Sequence, residues 1–198
     1  MAVVRYGTSI ADDAELRLIG DVTGKRVLEL GISTPSNAVV LAANGARALP
    51  ADPSADRIAA LRREAEAAEV TVQCHQVAVA ELGPIASASI DVVVAAHSLD
   101  EVDDLARVLR QVHRILKPDA SFVVAVRHPI DAIVTSADGN TIVTIPYGAG
   151  GVRSIGDWFM SMQRTNFAID VVHELRSIGA AHSLTPTTLV LRAKKLGV

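Results

Sequence analysis

Residues 90–129, IDVVVAAHSLDEVDDLARVLRQVHRILKPDASFVVAVRHP, set the grammar of the whole chain. IDVVVAAHSL (90–99) is a near-continuous apolar run, the composition of a strand covered on both faces. From Asp103 to Leu116 the spacing predicts an amphipathic helix. Leu105, Val108, Leu109, Val112 and Leu116 share one face, Arg107, Arg110 and Arg114 point elsewhere, and Pro118 closes it. SFVVAVRHP (121–129) then reads as a second strand, ended by Pro129. Strand, helix, strand predicts a right-handed crossover, and therefore a parallel sheet.

The same alternation extends upstream. RVLEL (26–30) is a buried strand that stops at Gly31; after the loop ISTPS (32–36), NAVVLAANG (37–45) has helical spacing and a glycine stop. ARALPAD (46–52) is the next strand, and Ser54 caps a helix whose Ile58, Leu61 and Ala65 share a face. VTVQCHQVAV (70–79) supplies the third of five strands. Downstream the pattern changes. NTIVTIPYGAGG (140–151) reads as a strand and a glycine-rich loop, SIGDWFMSMQRTN (154–166) as a helix, and FAIDVVHEL (167–175) and LTPTTLVLRAKK (184–195) as two strands.

Composition narrows the class. With 198 residues, 49% hydrophobic and 21% charged, the chain can bury a core and is not disordered. Aromatics make up only 3%, so the core is aliphatic, and four of the six, Tyr147, Trp158, Phe159 and Phe167, lie in residues 147–167. The net charge is -3 and the basic residues are scattered along the sequence, which argues against nucleic acid as a partner. Cys74, the lone cysteine, reads as an inert thiol in a reducing compartment. No apolar run is long enough for a membrane span, so a cytoplasmic location without a membrane partner is expected.

In an open α/β sheet, ligands lie beyond the carboxyl ends of the strands. Asp52 follows Gly31 by 21 positions and is either a carboxylate placed for two ribose hydroxyls or a solvated acid at an ordinary turn. His97 and His128 stand at the ends of the fourth and fifth strands as candidate catalytic groups, or as residues that only shape their turns. Asp100, Glu101, Asp103 and Asp104 read as caps of the following helix. No histidine pair has metal-ligand spacing with a supporting acid, so no metal is expected. Trp158 and Phe159 read as core or homodimer contacts, with a roof over a substrate pocket as the alternative.

Taken together, RVLELG, GARALPADPS, IDVVVAAHSLDEVDD and LARVLRQVHRILKPDASFVVAVRHP resemble the class I S-adenosylmethionine-dependent methyltransferases, in particular the small-molecule branch called type 11. The resemblance spans roughly residues 20–195 and includes the tail, DWFMSMQRTNFAIDVVHE with PTTLVLRAKK. It implies an α/β, Rossmann-like three-layer sandwich with a mostly parallel seven-stranded sheet and an antiparallel last strand. It implies one domain over residues 1–198, with 1–20 as a cap segment and 130–157 as a variable substrate-side insertion.

Residue by residue, the resemblance implies that Glu29 and Gly31 hold the methionine end of S-adenosylmethionine, with Ile32 and Ser33 of the same loop among the binding residues. Asp52 would grip the ribose, Pro53 flank the adenine and Ala78–Val79 face its edge. Ala96, His97 and Ser98 would line the sulfonium side, and Tyr6 would close over the cofactor. The partner implied is a small-molecule methyl acceptor, and the product S-adenosylhomocysteine. The family's loop continues with two further glycines where this chain has Ser33 and Pro35, and its acid at the adenine turn is Ala78 here. Those departures carry a second reading, a chain that keeps the fold, has weakened or lost cofactor binding, and serves as a binding or assembly module. A nicotinamide-dependent dehydrogenase is disfavoured because the three-glycine fingerprint is missing.

Overall fold

The computed structural model describes residues 3–137, 140–178 and 184–197. In chain order the elements are α1 (Asp13–Leu16), β1 (Arg26–Leu30), α2 (Asn37–Ala43), β2 (Arg47–Asp52), α3 (Ala55–Ala67), β3 (His75–Gln76), β4 (Ile90–Ala96), α4 (Leu105–Ile115) and β5 (Leu116–Arg127). There follow α5 (Pro129–Ile133), β6 (Val134–Ala137), β7 (Asn140–Val143), α6 (Ile155–Arg164), β8 (Phe167–Leu175) and β9 (Thr188–Lys195). The main sheet has seven strands in the order β3-β2-β1-β4-β5-β9-β8; β6 and β7 form a separate hairpin. β1 to β5 pair in parallel, and β9 lies antiparallel to both its neighbours, so the last strand of the chain is the one that runs the other way.

Alternation along the strands sorts the core into two layers. Leu28, Leu49, Val93, Phe122 and Leu191 point to one face and pack against α4 and α6. Val27, Ala48, Val92, Val123 and Val190 point to the other and meet α2, α3 and the N-terminal segment. α4 buries Leu105, Val108, Leu109, Val112 and Ile115, each side chain contributing roughly 1.5–3 kcal/mol relative to exposure. The aliphatic core is thus the sheet itself.

Three segments differ from the expected pattern. The strand expected over 70–79 shrinks to His75–Gln76 plus one bridge, Ala48 to Val72. It sits at the sheet edge with β2 as its one partner, and Val77 and Val79 leave it to pack on the core. β5 begins at Leu116, before the turn, because the chain pairs with Ile90 there and then re-registers at Ser121, with Asp119 in the left-handed region at φ 58°. Pro129 ends the strand as expected, but it also starts α5 at a position where its missing N–H costs nothing. Among the described residues no helix is long and apolar enough to cross a membrane.

Candidate active site

The loop after β1 is built on Glu29, which is 1% exposed. Its Oε1 accepts from Ser33 N (3.0 Å), Ser33 Oγ (2.6 Å) and Asn37 N (3.0 Å), and its Oε2 from Ser36 Oγ (2.8 Å) and Ala38 N (2.8 Å). Five donors compensate the burial of one carboxylate. All of them belong to the loop or to the first turn of α2, so Glu29 shapes the loop from beneath. Gly31 is the one residue of 31–36 with a left-handed φ, +74°. A side chain there would also collide with Ser98, whose Cβ would lie 2.2 Å from the added carbon. Ser98 occupies that space and its Oγ donates to the Leu30 carbonyl, clipping the ends of β1 and β4 together. Ser33 and Pro35 need no left-handed backbone, so the two missing glycines leave no strain behind.

Asp52 ends β2 and is also 1% exposed. Its Oδ2 accepts from Ile32 N (2.9 Å), its Oδ1 from Ser54 N (2.8 Å), and Arg57 Nη1 approaches Oδ2 at 3.4 Å. The Arg57 side chain is 65% exposed. A carboxylate offers about four acceptor directions, and two are filled here by backbone N–H groups. Of the two that remain, one is approached by Arg57 Nη1.

His97 follows β4 with φ +59°, a strained value for a non-glycine residue. Its backbone N–H donates to Ala125 O (2.8 Å), continuing the pairing with β5. Nδ1 lies 3.0 Å from Asp100 Oδ2, while Asp100 Oδ1 accepts from Arg127 N (2.8 Å). The carboxylate therefore fixes the proton on Nδ1 and leaves Nε2 as an acceptor. Nε2 lies against Gly7, where an added Cβ would come within 3.1 Å of it. Both residues line a cavity of about 480 Å³ together with Arg5, Thr8, Ser33 and Arg57, a size within the usual range of about 300–1,000 Å³ for ligand pockets. Ile32, Thr34, Pro35, Ala96 and Ser98 line it too.

Other expected site residues lie elsewhere. Tyr6 is fully buried in the second core layer and its hydroxyl donates to Asp13 Oδ1 at 2.6 Å, so it cannot close over a ligand; burial first, then the Asp13 charge, holds its phenol protonated. Its neighbours Arg5, Gly7 and Thr8 reach the cavity instead. His128 is fully buried and caps α5. Its Nδ1 accepts from Ile130 N (3.1 Å) and its Nε2 meets Glu174 Oε1 (2.8 Å), so both nitrogens are committed and the expected catalytic role has no free atom to perform it. Pro53 and Ala78 are exposed outside the cavity wall, and Val79 packs on the core. Trp158 is a core residue and Phe159 is half exposed. Sequence reading missed Arg5, Gly7, Thr8, Arg57 and the role of Asp100, since none stands at a strand end with a recognisable spacing. Among the described residues no group of three His, Cys, Asp or Glu side chains could hold a metal ion.

A sheet of this order, with an acid ending β2 and a cavity across the ends of β1 and β4, defines α/β proteins that hold a nucleoside cofactor beyond the carboxyl ends of their strands. The family model described as Methyltransferase domain matches residues 28–124. Residues 28–124 thus form a methyltransferase domain of the class I S-adenosylmethionine-dependent kind, with S-adenosylmethionine as cofactor and methyl transfer in general as the reaction. The chain is similar to an S-adenosylmethionine-dependent methyltransferase from Mesorhizobium loti, at 25% identity and TM-score 0.78, over 92% of this chain and 96% of that one. The fold is shared with geranyl diphosphate C-methyltransferase from Streptomyces coelicolor, solved with S-adenosyl-L-homocysteine (13% identity, TM-score 0.72, 91% of this chain and 75% of that one). It is shared too with 1,6-didemethyltoxoflavin-N1-methyltransferase from Burkholderia thailandensis, also with S-adenosylhomocysteine (17% identity, TM-score 0.62, 93% and 75%). No curated protein matches the chain.

Proposed function

We propose that the protein methylates a small organic acceptor at an O–H or N–H group, with His97 as the base that takes the acceptor's proton. The observation that supports this reading is the His97 imidazole, held on Nδ1 by Asp100 and presenting Nε2 in the wall of the cavity. Bound S-adenosylmethionine supplies an activated methyl group for in-line displacement. In that displacement, with sulfur as the leaving group, His97 Nε2 would take the acceptor's proton. Asp100 stabilises the charged imidazole, and its second oxygen, tied to Arg127 N, keeps the pair aligned with β5.

On this reading Gly31, Ile32 and Ser33 carry the methionine end, Asp52 receives the ribose and Ala96–Ser98 bound the reacting side, while Glu29 acts through the loop it holds. Arg5, Gly7 and Thr8 of the segment before α1 line the cavity. Calorimetry with S-adenosylmethionine and S-adenosylhomocysteine is the first test. Saturable heat that weakens about tenfold or more in Asp52→Ala is expected, from the loss of two hydrogen bonds. No heat at millimolar ligand overturns the reading. Transfer of labelled methyl to a panel of small phenols, alcohols and amines then tests the acceptor class.

A further inference from the structure

The chain has 19 Lys and Arg residues, and five of them, Arg17, Lys25, Lys117, Arg192 and Lys194, converge on one depression of about 370 Å³. They come from the segment after α1, the start of β1, the start of β5 and the end of β9. These are the blunt ends of the strands: β1, β4 and β5 begin there and the antiparallel β9 finishes there, whereas the cavity at His97 lies at the opposite ends. The length of β1, five residues, separates the two by roughly 15–20 Å.

Several of these cations are uncommitted. Lys117 Nζ pairs with Asp91 (2.6 Å) and Arg192 forks onto Asp170 (both bonds 2.9 Å). Lys194 Nζ, by contrast, donates only to the neutral Ser121 hydroxyl at 2.6 Å. Among the described residues the Arg17 and Lys25 side chains form no hydrogen bond or ion pair. Counting Asp91 and Asp119 in the depression, Asp170 on Arg192 and Asp21, whose charge meets that of Lys25, five cations against four acids leave a surplus of one in a chain whose net charge is -3. The positive field is felt locally: desolvation would raise the Asp91 carboxyl, yet Lys117, the Arg26 N–H and Lys25 together hold it below its ordinary range.

We infer that this depression binds a diphosphate group, carried by pyrophosphate or by a nucleoside diphosphate. The volume exceeds a single oxyanion, at about 30 Å³ per water-sized group, and the spread of free donors from Arg17, Lys25 and Lys194 suits two linked phosphates better than one. A polyvalent anion would also be drawn to a positive hollow on a negatively charged chain. The site assists no step at His97; it is a second ligand site on the far side of the sheet.

Calorimetry of the full chain with pyrophosphate and, separately, ADP at low salt tests this. Saturable binding is expected, about tenfold or more weaker in Lys25→Gln/Lys194→Gln and weaker again as salt rises, with saturating S-adenosylhomocysteine leaving it unchanged. Arg17→Gln alone, an exposed side chain, is expected to weaken it in the same direction and guards against misfolding of the double variant. Tighter binding of ADP than of pyrophosphate identifies the nucleoside diphosphate as the source, and the reverse identifies free pyrophosphate. No heat from either ligand overturns the inference, as does binding indifferent to these substitutions. Competition by S-adenosylhomocysteine would also overturn it, by moving the anion to Arg5 and Arg57 without touching the methyltransferase reading.

Discussion

Two neighbouring strands each end in a histidine bonded to an acid, and the two ends could hardly differ more in what they are built to do. At the end of β5, His128 is fully buried: one ring nitrogen accepts from Ile130 N, the other meets Glu174, and the residue caps a helix in an ordinary backbone conformation. At the end of β4, His97 is partly exposed, sits in the left-handed region, and has one nitrogen held by Asp100 while the other lies in a cavity wall. The tautomers are opposite: the proton is on Nε2 of His128 and on Nδ1 of His97. A histidine whose bonds are all internal contributes stability. One that keeps strain and a spare acceptor is arranged for a ligand, since strained backbone persists where function demands it.

Substitution separates the two roles. His97→Asn keeps a residue that tolerates left-handed backbone, so unfolding free energy should stay within about 1 kcal/mol of the parent, while methyl transfer falls about 10²- to 10⁴-fold, the range of a lost general base. Binding of S-adenosylhomocysteine, measured by calorimetry, should change little. Equal losses in stability and turnover would erase the contrast. His128→Ala is expected to do the reverse: about 2–3 kcal/mol of stability lost with the cap and the buried hydrogen bonds, read as a lower urea midpoint, and turnover per folded molecule unchanged.

The contrast explains what could be read in the sequence. RVLEL and ARALPAD became strands within a residue of their expected bounds because an apolar run between two helical segments is buried as sheet, whereas FAIDVVHEL, at the sheet edge, was legible through its period-two alternation. Asp52, Gly31 and His97 stand out as candidates because each lies at a strand end, where position in the sheet is readable from the sequence. Whether a strand-end histidine is free or consumed depends on a partner such as Glu174, 46 residues away from His128, and no local pattern encodes that. Arg5 was equally hidden, since its segment is pinned through Arg5 N to Asn37 Oδ1, 32 residues on. Asp100 was visible as an acid in a cluster, but its bond to His97 needs the left-handed turn that brings residues 97 and 100 together.

Gly7 offers a finer probe of the free nitrogen. Gly7→Ala would set a carbon 3.1 Å from both His97 Nε2 and Ile10 Cδ1, without the penalty of a left-handed φ. Crowding of the proton acceptor should lower turnover about tenfold, roughly 1.4 kcal/mol of activation free energy, and leave the urea midpoint nearly unmoved. Unchanged turnover would mean that the reacting proton does not reach Nε2 past Gly7.

The smallest effect is expected at Tyr6, which extends the buried side of the comparison. Like His128 it is fully buried and bonded to an acid, and burial followed by the charge of Asp13 raises its proton affinity above the ordinary value of 10.0. A group whose affinity is raised by folding contributes stability that is complete below the unfolded value and declines as pH rises beyond it. The decline therefore begins near pH 10 and, for one proton, approaches about 1.4 kcal/mol per pH unit while the folded phenol stays neutral. Tyr6→Phe removes that slope at the cost of about 1 kcal/mol at neutral pH for the lost hydrogen bond. Asp13 keeps the donors Leu18 N and Ile19 N, so no acceptor is stranded. Urea unfolding of both proteins at pH 8, 10 and 11 tests it. Parallel curves would show that the Tyr6 proton is not held by the fold, and that burial alone does not distinguish consumed side chains from free ones in this molecule.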